Sequence, residues 1–225
     1  GEEFVASHGI GFETYGMGLV FNTKTGKPTP TSLEDLWDSN YNVAIGKTHQ
    51  QYFVPMVNYM LTGQFTPVDE EAVFDKLDEL KDNMVTTTAS HAEKRNLIAN
   101  NEIDLSEAFN NRVGKMLDDG LKVKYISFPS AFVGVDYWGI VKGTSQKELA
   151  EEFINFSLAT AQQAANARNQ YLGPTNKGVE LEEDFVAKKG IPYGESARKL
   201  SLDDYEYIAE NLGSWTKQWQ RWLAR

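Results

Sequence analysis

Hydrophobic and polar residues follow two different periods along the chain, and the period predicts which segments are strands and which are helices. Strand-like patterns cover six segments, at 12–21, 43–46, 85–88, 103–108, 123–128 and 134–143. Helical patterns cover 33–37, 69–80, 90–99 and 145–169, the last broken near Leu158, and two further helices end at Gly63 and Gly120. Strands that alternate with helices indicate an α/β architecture with a mainly parallel sheet.

Several helix ends carry recognisable signals. Residues 31–34 read Thr-Ser-Leu-Glu, a capping box that predicts a short helix through Trp37. In the helix that Gly63 ends, Pro55 fits best in the first turn, where its missing N–H is harmless.

The last 25 residues are predicted to form two helices. Residues 201–204 read as the cap of a helix that ends at Gly213. The final segment places its large apolar side chains on one helical face, namely Trp215, Trp219, Trp222 and Leu223. A tryptophan stripe at this spacing is typical of a docking face.

The segment 134–143 is a short apolar run that contains a single acid, Asp136. A carboxylate in a half-buried strand costs free energy unless it has a cationic partner. Two interpretations follow from the residues alone: Asp136 waits for such a partner, or its carboxylate simply points to water.

Composition narrows the function classes. The formal net charge of −10 argues against nucleic-acid binding, which needs a basic surface. The chain has no cysteine, so it forms no disulfide, and no apolar run approaches the ~20 residues of a membrane span. Because the sequence opens with Gly-Glu-Glu, we expect any export signal to have been removed.

Motifs for catalysis are missing. Gly46-Lys47-Thr48 ends like a phosphate-binding loop, but Tyr41 stands where that loop needs a glycine. The three histidines lack histidine partners at i, i+4 spacing, so we expect no metal site and no cofactor. The simplest interpretation of His49 and His91 is that they are ordinary surface histidines. We therefore expect a binding protein and not an enzyme.

Four stretches have a familiar pattern. They are Thr-Tyr-Gly-Met-Gly-Leu-Val-Phe-Asn at 14–22, Thr-Ser-Leu-Glu-Asp-Leu-Trp at 31–37, Asp-Tyr-Trp-Gly-Ile-Val-Lys-Gly at 136–143 with the helix at 150–156, and Tyr-Leu-Gly-Pro-Thr-Asn at 171–176. In this order they resemble the spermidine/putrescine-type solute-binding proteins of ABC importers, a branch of extracellular solute-binding protein family 1.

The resemblance implies a two-lobed periplasmic-binding-protein type II fold with a ligand cleft between the lobes. It assigns 1–17 to the end of lobe one and the first hinge strand, and 18–132 to lobe two. Residues 133–200 would form the second hinge strand and the C-terminal part of lobe one, and 201–225 a helix that docks on lobe two. It also implies an incomplete first lobe, because the family has on the order of 100 more residues before the first hinge strand.

The resemblance also implies ligand-binding residues. Asp136 matches the acid of that family that binds an ammonium group of the ligand, although Gly134 stands where the family often has tryptophan. Phe109 and Tyr171 match two aromatic positions. Tyr15, Lys47, His49 and Ser90 are further candidates for the same cleft.

Arg112 departs from the polyamine pattern. An arginine suits a carboxylate, which it can hold with two parallel hydrogen bonds, whereas Arg112 and Lys47 would repel a second ammonium. Asp136 and Arg112 together would describe a zwitterion such as a γ-amino acid or an opine. The simpler alternative is that Arg112 pairs with Glu107 or with another local acid at the rim.

We therefore predict an exported, periplasmic substrate-binding protein that delivers a small amine-containing solute, polyamine or amino-carboxylate, to an ABC permease, and we expect a monomer. Two other classes stay open. One is an enzyme on a related two-lobed α/β fold with Asp136 or His49 as base, and the other is the effector-sensing domain of a regulator.

Overall fold

The computed structural model describes residues 4–194 and 202–225. Its strands are β1 Val5–Ala6, β2 Gly9–Asn22, β3 Val43–Gly46, β4 Met84–Thr88, β5 Leu105–Phe109, β6 Val123–Ile126, β7 Phe132–Trp138 and β8 Gly173–Pro174. Its α-helices are α1 Gln50–Thr62, α2 Glu70–Leu80, α3 His91–Ala99, α4 Asn110–Asp118, α5 Lys147–Leu158, α6 Thr160–Gln170, α7 Glu183–Lys189 and α8 Leu202–Ala224. Short 3-10 helices occupy Thr23–Thr25, Leu33–Trp37 and Lys81–Asn83.

The sheet is organised around β2, a strand of 14 residues. It pairs antiparallel with β1, β5, β6, β7 and β8, whereas only β3 forms parallel pairs, with β4 and β5. The prediction of a mainly parallel sheet was therefore wrong. The alternation of strands and helices is local, but β2 is long enough to pair with β1 before it and with four later strands.

The two halves of β2 have different partners. Its first half pairs with β7 and β8, and its second half pairs with β5 and β6. Gly18 allows a close approach, since a Cβ there would collide with the Ile126 carbonyl oxygen and the Tyr125 ring. β2 is thus the element that connects the region around β7 and β8 to the region around β3 to β6.

The main core lies between one face of the sheet and helices α1, α2 and α8. Trp215, Trp219 and Trp222 are almost fully buried there, and Trp219 packs edge-on against Phe53. The Trp219 indole also donates to the Lys47 carbonyl oxygen at 3.1 Å. The tryptophan stripe is a docking face, as its spacing predicted.

The helix of this stripe is longer than predicted. α8 continues through Gly213, where the sequence pattern indicated a break. A glycine inside a helix costs about 1 kcal/mol, and burying Ile208 on one side and Trp215 on the other outweighs that cost. Ser201, the predicted cap, lies outside the described residues.

Two other local expectations also fail. Pro55 lies in the second turn of α1 and not in the first, because the helix already begins at Gln50 and the proline ring is buried in the core. In the capping box the acid is Asp35 and not Glu34: its carboxylate accepts from the backbone N–H of Thr31 and Ser32. Helix α7 was not predicted at all.

A second, smaller core lies on the other face of the sheet, under α3 and α4. It contains Val20, Ala44, Ile98, Ile103, Ala108, Val113, Met116, Val123 and Tyr125. The two cores fix the first turns of α3 and α4 at the ends of β4 and β5. None of the helices in the described ranges has the length and apolar character needed to cross a membrane.

Candidate functional site

A pocket of about 210 Å³ brings together charged and aromatic side chains from strands β2, β5 and β7 and from helices α1, α3 and α4. It is lined by Glu13, Tyr15, Tyr52, His91, Phe109, Asn111, Arg112, Asp136 and Leu172. Two larger cavities, of about 310 and 320 Å³, have mostly apolar linings without a comparable set of acids and bases. Convergent polar groups are what mark a binding site, so the smaller pocket is the candidate.

One wall of the pocket is acidic. Glu13 of β2 and Asp136 of β7 are directly opposite each other in the antiparallel pairing, so their side chains lie on the same face of the sheet. The two carboxyl groups lie close enough for each to shift the pKa of the other. The Asn166 side-chain amide donates to Glu13 Oε2 at 2.6 Å.

These two acids hold a proton more tightly than ordinary carboxyl groups. Desolvation raises the pKa of Glu13, and the neighbouring Asp136 raises it further against the opposing effect of Asn166. Desolvation also raises the pKa of Asp136. Within the described residues, no lysine, arginine or histidine nitrogen comes within 4.0 Å of either group, so the acidic wall lacks a counter-ion.

The middle of the pocket is aromatic. Tyr15, Tyr52 and Phe109 meet edge to face, with ring centroids 5.2 to 6.1 Å apart. Gly134 makes this arrangement possible, because a Cβ there would overlap the Tyr15 ring. Tyr15 thus takes up space beside the position where the resembled family often has tryptophan. Aromatic faces next to carboxylates attract cations.

The opposite wall carries positive charge. Arg112 and Asn111 lie in the first turn of α4, and His91 is the first residue of α3. The free N–H groups and the dipole of a helix N-terminus favour anions. Among the described residues, no carboxylate lies within 4.0 Å of the Arg112 guanidinium, and the buried Asn111 Oδ1 has no hydrogen-bond partner. The exposed Arg112 side chain is therefore available to a ligand.

His91 is a neutral group at ordinary pH. Desolvation lowers the pKa of its imidazole to about 4, and the positive charge of Arg112 contributes to the lowering. Its ring stacks on the His49 ring at 5.5 Å. His91 can therefore exchange hydrogen bonds with a ligand without adding a charge.

A buried cluster of charges, here called the Glu107 cluster, supports this wall from below and consists of Glu107, Lys94, His49 and the Gly46 N–H. Glu107 Oε1 lies 2.6 Å from Lys94 Nζ, 2.7 Å from His49 Nδ1 and 2.8 Å from the Gly46 nitrogen. Burial alone would raise the pKa of Glu107, but Lys94 and His49 hold it down at about 2. Glu107 is thus fully occupied, and the alternative in which it pairs with Arg112 was wrong.

The structure brings four of the residues proposed from the sequence into one pocket: Asp136, Arg112, Phe109 and Tyr15. It places three others nearby but in different surroundings. Lys47 is exposed, Ser90 accepts from the Glu93 N–H as the cap of α3, and His49 is taken up by Glu107.

Tyr171 has its side chain elsewhere. Its backbone is left-handed, with φ 62°, and its ring lies over Gly114, which has no Cβ to obstruct it. Its hydroxyl donates to Asp118, and the Lys189 ammonium lies 4.2 Å from the ring centroid. The neighbouring Leu172 lines the pocket instead.

Four residues of the pocket were not predicted from the sequence: Glu13, Tyr52, Asn111 and Leu172. Glu13 had a usable signal, because it stands two positions before Tyr15 in a strand and must share its face. Tyr52 and Asn111 could be placed only once the packing of α1 and α4 was known. No cluster of three or more His, Asp or Glu side chains suited to a metal ion occurs in the part of the chain that the structure describes.

Comparison with known proteins gives one family and several similar structures. The family model described as bacterial extracellular solute-binding protein matches residues 5–192. A γ-aminobutyric acid-binding protein of Pseudomonas aeruginosa is 28% identical over 164 residues, which are 71% of this chain and 45% of that protein. The chain thus spans less than half the length of this curated relative.

Two solved structures show the same fold. An ABC transporter substrate-binding protein from Bradyrhizobium japonicum has a TM-score of 0.84 at 23% identity, with 99% of this chain and 72% of that chain covered. A periplasmic binding protein from Agrobacterium tumefaciens R10, in complex with agropinic acid, has a TM-score of 0.77 at 22% identity, with 100% and 72% covered. The α/β fold is therefore that of the two-lobed periplasmic binding proteins.

Proposed function

Because the chain belongs to the bacterial extracellular solute-binding protein family, we propose that its pocket binds a small amino-carboxylate and that the full protein delivers this solute to an ABC permease. The observation that carries the proposal is the separation of charge across the pocket. Among the residues that the structure describes, Asp136 and Glu13 form one wall without a counter-ion, and Arg112 stands on the other wall without one.

A zwitterion matches both walls at once. Its ammonium would donate to the carboxylates while lying against the faces of Tyr15 and Tyr52, and its carboxylate would accept from Arg112. The Pseudomonas relative is named for γ-aminobutyric acid, which carries one ammonium and one carboxylate. The Agrobacterium structure contains agropinic acid. These names support an amino acid or an opine as the ligand class.

The lobe boundaries implied by the sequence fit this proposal. With 1–17, 133–200 and the docking helix 201–225 arranged around a lobe of 18–132, the acidic wall would belong to the strands that cross between lobes. The basic wall would belong to lobe two. Closure of the lobes would then bring the walls onto the ligand, in a monomer that works in the periplasm.

A polyamine is the second candidate, in line with the spermidine/putrescine resemblance. The observation in its favour is that two carboxyl groups, and not one, line the acidic wall. Against it stands Arg112, which would repel the second ammonium of a diamine. The two ligand classes therefore differ in their dependence on Arg112.

A thermal-shift panel of amino acids, opines, diamines and polyamines on the full-length protein tests the proposal. A ligand that binds only the folded state raises the Tm, by an amount that grows with its concentration over its Kd. We expect γ-aminobutyric acid or a related amino-carboxylate to give the largest rise. In Arg112→Ala, its affinity should fall by about 1.5–3 kcal/mol, the range for hydrogen bonds to charged groups.

Arg95→Ala is the matched control, because Arg95 pairs with Asp119 on an exposed face of α3. It should bind as the wild type does. Putrescine binding that is tight in the wild type and unchanged in Arg112→Ala would replace the amino-carboxylate by a polyamine. Recovery of a chemically altered compound after incubation would contradict a binding protein and favour an enzyme.

A further inference from the structure

We propose that Glu13 is the second carboxylate of the amine subsite, and that it shares a proton with Asp136 until the ammonium group of a ligand replaces that proton. The inference rests on the proposed function and goes beyond it by naming a specificity residue and a linkage between ligand binding and proton release. The subsite would prefer a group with several N–H donors and a full positive charge, such as a primary ammonium.

The geometry of the two strands carries the inference. Glu13 and Asp136 are paired residues of neighbouring antiparallel strands, and both line the pocket. Paired residues of this kind have their Cβ atoms about 4.5–5.5 Å apart, so two acids at these positions are forced together by the backbone. The two carboxyl groups lie close enough for each to shift the pKa of the other. Two ionised carboxylates repel and cannot hydrogen-bond each other, so this arrangement favours a shared proton.

Asn166 determines which way Glu13 points. Its side-chain nitrogen donates to Glu13 Oε2 from helix α6. This bond holds the half-buried Glu13 carboxyl group beside Asp136 and disfavours other orientations of the side chain. The pair is thus a built arrangement and not a chance meeting of two flexible side chains.

The charges around the pair agree with a shared proton. The pKa of Glu13 is raised by desolvation and by Asp136, whereas the hydrogen bond from Glu13 lowers the raised pKa of Asp136. The two raised pKa values together describe a pair that holds one proton more tightly than an isolated carboxyl group does.

Other ionisable groups that face the pair come from five elements: Tyr15 of β2, Tyr52 of α1, His91 of α3, Arg112 of α4 and Tyr205 of α8. α6 contributes the neutral Asn166, and β8 places Pro174 opposite Glu13. Arginine and tyrosine keep their charge state below about pH 9, and the His91 pKa of about 4 lies below the mildly acidic range. A binding change in that range therefore reports on Glu13 and Asp136.

Ligand binding would proceed by exchange of hydrogen bonds. The O–H···O bond between the two acids breaks, the proton leaves to water, and the ammonium donates N–H bonds to both carboxylates. The only covalent change is this transfer of a proton from a carboxyl O–H to water. One proton is released for each site that was protonated before binding, so affinity must fall as the pH falls through the raised pKa of Glu13.

Isothermal titration with γ-aminobutyric acid tests this on the full-length protein, at about pH 6 in two buffers of different ionisation enthalpy. We expect the wild type to release a fraction of a proton on binding and to lose affinity as the pH is lowered from neutral. Glu13→Gln should bind about tenfold more weakly at neutral pH, the loss of one charge-assisted contact, and should release no proton. Glu210→Gln removes an exposed acid of α8 and should match the wild type.

A carboxyl-carbon NMR titration of the ligand-free wild type and Asp136→Asn gives a readout that needs no ligand. The Glu13 midpoint should fall when Asp136 loses its charge. An unchanged midpoint, or Glu13→Gln with wild-type affinity and proton release, overturns the inference and leaves the proposed function standing. If no compound of the thermal-shift panel binds the wild type, both the proposed function and the inference about Glu13 are wrong.

Discussion

Two groups of acids lie close to the same pocket and differ in how their charge is balanced. Glu107 is 0% exposed and receives hydrogen bonds from Lys94, His49 and the Gly46 N–H, so every charge in that cluster has a partner within the protein. Glu13 and Asp136 have each other and a neutral amide, but no cation among the described residues.

The shift of each pKa records this difference. The pKa of Glu107 is held at about 2 although the group is fully buried, because its partners stabilise the ionised form. The pKa values of Glu13 and Asp136 are raised although both groups keep some contact with solvent. An acid with cationic partners stabilises the fold, whereas an acid without such partners is suited to bind a cationic ligand.

Removing the ammonium of the Glu107 cluster should have the largest effect. Lys94→Met leaves a buried carboxylate without its main partner, and we expect the free energy of unfolding to fall by about 3–5 kcal/mol in urea titrations. Lys81→Met is the control, because the ion pair of Lys81 with Asp78 at 3.8 Å lies on the surface and contributes less than about 1 kcal/mol.

The pH dependence of the free energy of unfolding tests the Glu107 side of the same comparison. The Glu107 pKa is depressed in the folded state, so its stabilisation is complete above the unfolded value of about 4.3 and is lost as the pH falls towards about 2. In Lys94→Met the free energy of unfolding should decrease less steeply over the same pH range. An equal loss in both proteins would mean that Glu107 is not balanced by Lys94.

Neutralising the open pair should affect binding and not folding. Asp136→Asn should weaken amine binding by about 2–5 kcal/mol, the loss expected when a charged ligand group loses its partner. The ligand-free Tm should hold or rise, because the raised pKa means that the ionised pair destabilises the fold at neutral pH. A marked fall in the ligand-free Tm would show that Asp136 has a structural role like that of Glu107.

The smallest effect is expected at the aromatic part of the pocket. In Gly134→Ala the new methyl group displaces the Tyr15 ring, and overpacking of this kind costs about 1–3 kcal/mol. In a Tyr15→Ala background the same substitution should be nearly free. A double-mutant cycle by urea unfolding measures the coupling, and additive effects would show that the two residues are independent.

Local features of the fold could be predicted from the sequence. The strands at 43–46 and 85–88 and the break between α5 and α6 follow from hydrophobic period and helix-terminus chemistry, and the structure has them within a few residues. The strand direction could not be predicted, because the partners of β2 are far away in the chain. Pairing of Glu13 with Asp136 joins residues more than a hundred positions apart, and one step of register would put either acid on the other face.

Some residues of the candidate site could likewise be predicted from the sequence, and others could not. Asp136 is conspicuous as a lone acid in an apolar strand, and Arg112 as a base where a polyamine site would have none, so both could be proposed from residue type. The role of Glu107 could not, because only the packing shows that Lys94 and His49 already occupy it. Tyr171 was misplaced because its left-handed backbone turns the ring towards Asp118.

The buried tryptophans of α8 have a consequence for the order in which the molecule can fold. Trp215 donates to Glu70 at 2.9 Å, and Trp219 packs against Phe53, so the core around α1 and α2 is completed by residues made about 150 positions later. A ribosome adds those residues after α1 and α2 have emerged. Until then the apolar faces of both helices stay uncovered. A chain that ends before residue 222 therefore leaves apolar core surface exposed and prone to aggregation.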